Sequence, residues 1–331
     1  MQPLAPERGI STASLGIDSL RSNMSNASEN EADYLFGGVS GVTLPVASFP
    51  LGEGIELRQT FSHLFSANMM AFAPPGPEGY HPAPWKAAKG GFGYDIAVEI
   101  CTPSQTSLGE SFDAKEIIWW IAALLRLARY PYLSVPVVSD YSFRDIPLIK
   151  DEPTLTPFET EGRMFGAPEG TDCALSLESL TWVANKWRSA GRLLNSNPKF
   201  FGALKAFDSS TVRGRASASM LALWGAIEQL FAPSAGELRF RVASLLASYL
   251  EGPGSARLEL YKRVLKLYNE RSLAAHTAKE VETGPLVETY VIMRNALVRM
   301  VDEEKVPTQS ELESLLFCVA APSMPTQEGA L

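Results

Sequence analysis

Apolar positions run in two different rhythms along this chain, and the change comes near residue 170. From about residue 172 they recur at helical spacing, with polar residues filling the other faces. Leu175 to Leu194 carries Leu177, Leu180, Trp182, Val183 and Trp187 near that spacing, and Arg213 to Phe231 carries Met220, Leu223, Trp224, Ile227, Leu230 and Phe231 on one face. Further helices are expected over Glu237–Leu250, Ala256 to about Ala275, Gly284 to Met300 and Glu311–Val319, with a short one after Pro198. Pro233, Gly236 and Gly252-Pro-Gly254 punctuate them, so short turns should join antiparallel neighbours into a bundle.

Residues 34–165 read differently. Strand-like runs at Gly41–Val46, Ile55–Phe61 and Tyr94–Ile100 lie between loops marked by Phe36-Gly-Gly, Pro74-Pro-Gly-Pro and Lys89-Gly-Gly-Phe. One helix interrupts them: Asp113 suits its N-cap, Lys115–Arg129 carries the stripe, and Pro131 ends it. Residues 1–33 are rich in Ser, Asn, Ala and Glu without periodicity and read as a weakly ordered arm; 321–331 read as a loose tail. The expected class is α+β, with a mixed, β-rich domain over 34–165 followed by an all-α bundle over 172–320.

Bulk composition narrows the function classes. The chain has 331 residues, 46% hydrophobic and 20% charged, with a net charge of −8. An acidic surface does not attract nucleic acid in general, so any RNA contact has to be local. The stretch 253–300 is one place for it, since Lys and Arg there modestly exceed Glu. Cys101, Cys173 and Cys318 are odd in number and widely spaced, which suggests neither a disulfide framework nor a zinc site. The longest apolar run, Ile117 to Leu125, stops at Arg126 and is too short for a membrane span, which needs about 20 residues. No secretion signal is read at the N-terminus, so a reducing cytoplasm is the expected setting. Trp119-Trp120 is read as core. No metal cluster, phosphate-binding loop or nucleophile elbow is legible, and no cofactor is expected.

Candidate chemistry centres on Arg271 and His276, five residues apart in an R-x-x-x-x-H pattern. A permanent cation suits a phosphate, and an imidazole trades protons near neutral pH. The spacing does not select this pair by itself, because Arg58 and His63 share it. Context does: Arg58 and His63 fall in a strand-like run, where an odd offset points to opposite faces. Arg271 instead shares a helix face with Val264, Leu267 and Tyr268, so its charge needs a partner or a ligand, and Glu228 on the Trp224 helix is available. On a regular helix His276 lies about 140° around from Arg271. Either the helix loosens near His276 or a second subunit completes the site.

Three blocks in order carry a resemblance: Ala222-Leu-Trp-Gly-Ala-Ile-Glu-Gln-Leu-Phe231, Gly236-Glu-Leu-Arg-Phe-Arg-Val-Ala-Ser-Leu-Leu246 and Leu265-Lys-Leu-Tyr-Asn-Glu-Arg-Ser-Leu-Ala-Ala-His276. Over about residues 172–320 the chain resembles an HEPN domain, most of all the Apea-like HEPN group of prokaryotic anti-phage defence and toxin ribonucleases. The family's signature arginine falls on Arg271 and its histidine on His276. Ser272 stands where Asn is common, and Thr277 where Gly is common. The resemblance implies a metal-independent endoribonuclease in which the RNA 2′-OH attacks the adjacent phosphate. His276 would be the acid–base, Arg271 the phosphate ligand and Ser272 accessory; Glu228, the partner read from the helix positions, is the other accessory residue. The resemblance implies a homodimer through the helical domain, RNA as substrate, and an antitoxin or trigger protein as partner; an acidic chain with so few basic clusters is expected to need a structured RNA such as tRNA. The alternative within the family is a non-catalytic binding or dimerisation module.

Overall fold

A computed structural model describes residues 34–64, 69–87, 93–105, 112–164, 173–212, 214–231, 237–276 and 282–319; at 69–70, 87 and 273–276 it describes the backbone alone. The arm 1–33 and the tail 321–331 lie outside the described residues. The architecture is α+β. A six-stranded antiparallel sheet, in the order β2-β3-β6-β1-β7-β8, is built from β1 (Tyr34–Ser40), β2 (Ser48–Gly52), β3 (Ile55–Leu64), β6 (Tyr94–Pro103), β7 (Ser134–Ser139) and β8 (Leu155–Pro157). β4 (Met69–Ala71) and β5 (Trp85–Ala87) form a separate two-stranded ribbon.

Two of the expected strands are present as β3 and β6, but Gly41–Val46 is not a strand. It turns away from the sheet after β1, and Thr43 instead bridges to Ala174: its N–H donates to the Cys173 carbonyl at 3.1 Å and its carbonyl accepts from Leu175 at 2.8 Å. Phe36-Gly-Gly is not a loop either. Gly37 and Gly38 lie within β1, in the middle of the sheet, because both faces there are crowded. A Cβ on Gly37 would stand 2.7 Å from Ile118 Cγ2, and one on Gly38 would stand 2.7 Å from Ile96 Cδ1 and 2.8 Å from the Phe143 ring. Glycine here permits close approach rather than a turn.

α1 (Ala114–Ala128) packs on one face of the sheet. Asp113 caps it reciprocally with Glu116, as its position in the sequence suggests. The helices α2 (Leu177–Ser196), α3 (Pro198–Ser209), α4 (Ala216–Phe231), α5 (Leu238–Leu250), α6 (Ser255–His276), α7 (Thr283–Asp302) and α8 (Gln309–Leu316) follow. The helix after Pro198 is longer than expected: Asn197 caps it and Pro198 opens it, so twelve residues form α3.

Sheet and helices share one cluster of buried apolar residues, running from Val39, Leu57 and Val98 through Trp120 and Leu124 to Trp187, Trp224, Met293 and Leu312. Trp120 of α1 stacks on Trp187 of α2 with centroids 6.3 Å apart, and the Trp187 indole donates to the Leu51 carbonyl of β2 at 2.7 Å.

Arg126, the residue that ends the apolar run in α1, is fully buried at this junction. It donates to Asp208 of α3 at 2.6 Å, to both Glu159 oxygens at 2.7 and 2.6 Å, and to the Leu133 carbonyl at 2.9 Å. Arg163 joins the cluster through Glu159 at 2.8 Å and the Asp208 carbonyl at 2.9 Å, so two guanidiniums balance two carboxylates. Burial alone would raise the Asp208 carboxyl, but Arg126, Arg163 and the Trp119 N–H outweigh it and hold it below its ordinary value.

Candidate functional site

α4 and α6 face each other, and four side chains mark the contact. On α4, Trp224 and Glu228 are one turn apart; on α6, Tyr268 and Arg271 are too. The Tyr268 ring meets the Trp224 indole edge-on, with centroids 5.2 Å apart. The Arg271 guanidinium lies over Tyr268 at 5.5 Å and pairs with Glu228 across the helices, Nη2 to Oε1 at 3.1 Å. Glu228 is therefore the partner that the charge on the apolar face of α6 required. Burial and then the Glu228 carboxylate raise the Tyr268 phenol above its ordinary range, while Arg271 and Arg239 of α5 act against them.

Arg271 is paired but not sealed in. Its side chain retains 26% exposure and that of Glu228 18%. Nε of Arg271 is buried without a hydrogen-bond partner among the described residues. A guanidinium with one edge on a carboxylate and part of its surface open can take a second anion, and stacking on Tyr268 restricts where that anion sits. Ser272 follows on α6, half-buried.

His276 is the last residue of α6, and its imidazole lies outside the described side chains; Thr277 lies outside the described residues altogether. The backbone still constrains the pair. Helix α6 does not loosen before His276. The two residues are therefore about 7.5 Å apart along the axis and about 140° apart around it.

The other pair with this spacing is occupied elsewhere. Arg58 donates to Glu56 at 2.6 Å and approaches Glu99 at 4.0 Å, while His63 meets Asp95 at 2.7 Å. Each has its own carboxylate, and the two do not share a site.

Two features escaped the sequence reading. One is the buried Arg126–Asp208–Glu159–Arg163 cluster, whose sequence signal was a cation late in the apolar stripe of α1. The other is Trp119. Trp120 is core, but Trp119 is only half-buried and lines a surface cleft. Among the described residues no cluster of His, Cys, Asp or Glu is arranged to hold a metal ion, and no helix is long and apolar enough to cross a membrane. Comparison with protein-family models, curated proteins and solved structures gives no match for the chain.

Proposed function

We propose that the chain is a metal-independent endoribonuclease whose site is composed of Arg271 from one protomer and His276 from a second. The observation that carries the reading is the state of Arg271: a guanidinium on the apolar face of α6, oriented by Glu228 and Tyr268 and still one-quarter exposed. In the reaction, the RNA 2′-OH attacks the adjacent phosphorus as the bond to the 5′-oxygen breaks, leaving a 2′,3′-cyclic phosphate and a 5′-OH. His276 takes the proton from the 2′-OH or supplies one to the leaving oxygen, for which a near-neutral pKa is suited. Arg271 offsets the charge that grows on the phosphate oxygens. Ser272, beside it, is an accessory donor. Glu228 is a positioning residue that sets the guanidinium plane.

The resemblance to the HEPN family, with its defence and toxin setting, supports this assignment, as does the helical bundle around the site. The unbroken run of α6 to His276 supports a composite arrangement, since a twofold axis is the simplest operation that brings the two positions together. The purified chain, in excess EDTA, is expected to cleave structured RNA such as tRNA. Arg271→Ala and His276→Ala should each lower the rate about 100-fold or more. Equal cleavage by all three proteins would reject the site.

A second reading has its own observation. The Arg271–Glu228 pair on Tyr268 is also a competent lock between α4 and α6, as in a non-catalytic dimerisation module. In that case Arg271→Ala lowers stability, and the unaltered chain has no cleavage to lose.

A further inference from the structure

A cleft of about 330 Å³ opens where the start of α1 meets α3 and the residue after β8, and none of its described lining residues belongs to α4 or α6. Its wall is aromatic: Phe112, Trp119, Phe158 and Phe201 contribute rings from three separate parts of the chain, with the fully buried Trp120 behind them. The rings are fixed from behind. The Trp119 indole N–H donates to Asp208 at 2.9 Å, and Asp208 is held in turn by Arg126. Trp119 meets Phe201 edge-on with centroids 6.1 Å apart, and Phe112 meets Trp120 at 4.8 Å. These contacts hold the rings of the wall in place.

The mouth is polar, and its charges are not equivalent. Asp113 and Glu116 are committed to each other's backbone in the reciprocal cap of α1, at 2.8 and 3.0 Å. Lys115 and Lys205 are exposed and have no carboxylate partner among the described residues. Lys205 lies over the aromatic wall, 4.3 Å from the Phe201 centroid and 5.8 Å from that of Trp119. A long, exposed lysine swings out at small cost, and it then places an ammonium beside whatever has taken its position on the rings. Aromatic faces with lysines at the rim are the complement of a planar base carrying a phosphate. The volume is near the lower end of the range for small-ligand sites, about 300–1,000 Å³, which suits one nucleotide and not a chain of them.

We infer that this cleft is a mononucleotide-binding site, with the base against Trp119 and Phe201 and the phosphate met by Lys205 and Lys115. It stands independently of the ribonuclease reading.

The test is calorimetric titration of the purified full chain with each of the four ribonucleoside 5′-monophosphates, their unphosphorylated nucleosides, tetramethylammonium and a short single-stranded oligonucleotide. At least one monophosphate is expected to bind saturably with a dissociation constant below about 1 mM. Lys205→Glu should weaken it about tenfold or more, and Phe201→Leu, which keeps an apolar filler, should weaken it measurably. Arg271→Ala should leave it unchanged, separating this cleft from the α4–α6 site. Four outcomes overturn the inference: no saturable monophosphate binding, equal affinity in Lys205→Glu, nucleosides binding as tightly as nucleotides, or binding of only the oligonucleotide or tetramethylammonium.

Discussion

Arg126 and Arg271 are both cations set into apolar helix stripes, and the fold treats them differently. Arg126 loses all contact with water and is repaid by two carboxylates, each within 2.7 Å. Arg271 keeps part of its surface and has one carboxylate. The difference has energetic consequences. Arg126→Met leaves Asp208 and Glu159 with Arg163 alone, and removing one partner from a buried ion cluster costs about 3–5 kcal/mol. Denaturant unfolding of Arg126→Met should show a loss of that size; a loss under about 1 kcal/mol would mean that the cluster does not hold sheet to bundle. Arg271→Ala removes a partly solvated pair and should cost less, about 1 kcal/mol. The cluster also sets a pH dependence. The folded Asp208 carboxyl titrates below its ordinary value of 3.8, so the unfolded chain takes up this proton first as pH falls. Its stabilisation is present in full above about pH 4 and is lost as pH drops through the folded value. Thermal unfolding between pH 5 and 2.5 should show a steeper decline for the unaltered chain than for Asp208→Asn, which has no such proton to take up.

At the scale of elements, helices were more legible than strands, for a physical reason. A helix in this bundle shows one face to the core, and signals such as the Asp113 cap, Pro233 and Gly252-Pro-Gly254 mark its ends, so the helical stretches and their order could be read within a few residues. The sheet is covered by α1 on one face and by Phe143 and its neighbours on the other. β1 and β7, buried along most of their length, thus lose the alternation that reveals a half-buried strand, whereas β6 kept enough of it at its start to be read. β1 was hidden further by Gly37 and Gly38, which look like loop residues until the helix above them is known. The cost of filling that space is testable: Gly38→Ala places a methyl against Ile96 and Phe143 and is expected to destabilise by about 1–3 kcal/mol. An unchanged unfolding midpoint would mean that these side chains yield freely. The candidate site was legible in part. Arg271 on the apolar face of α6 implied a partner, and Glu228 was within reach of the argument. The cleft at Trp119 was not legible, because it gathers residues from α1, α3 and the end of β8, and no local pattern links them.

For the whole molecule, the decisive feature is that the strand-rich and helical segments share their core. Trp120, Trp187 and the Arg126 cluster lie on the line between them. The full chain is therefore expected to unfold in one transition, with far-ultraviolet dichroism and tryptophan fluorescence giving coincident curves. Two separated transitions would show that the shared core does not couple the halves. The same scale governs the proposed chemistry. With α6 running to His276, Arg271 and His276 lie about 140° apart around the helix axis, and the proposed reaction is therefore assigned to a dimer. Subunit mixing tests this most directly. Arg271→Ala and His276→Ala chains, each inactive alone, are combined under conditions that allow exchange, and RNA cleavage is followed in EDTA. With equal amounts, half of the dimers are mixed and each has one intact composite site, so activity should return to about a quarter of that of the unaltered protein. If the mixture stays as inactive as its components while mixed dimers are shown to form, the composite site is wrong.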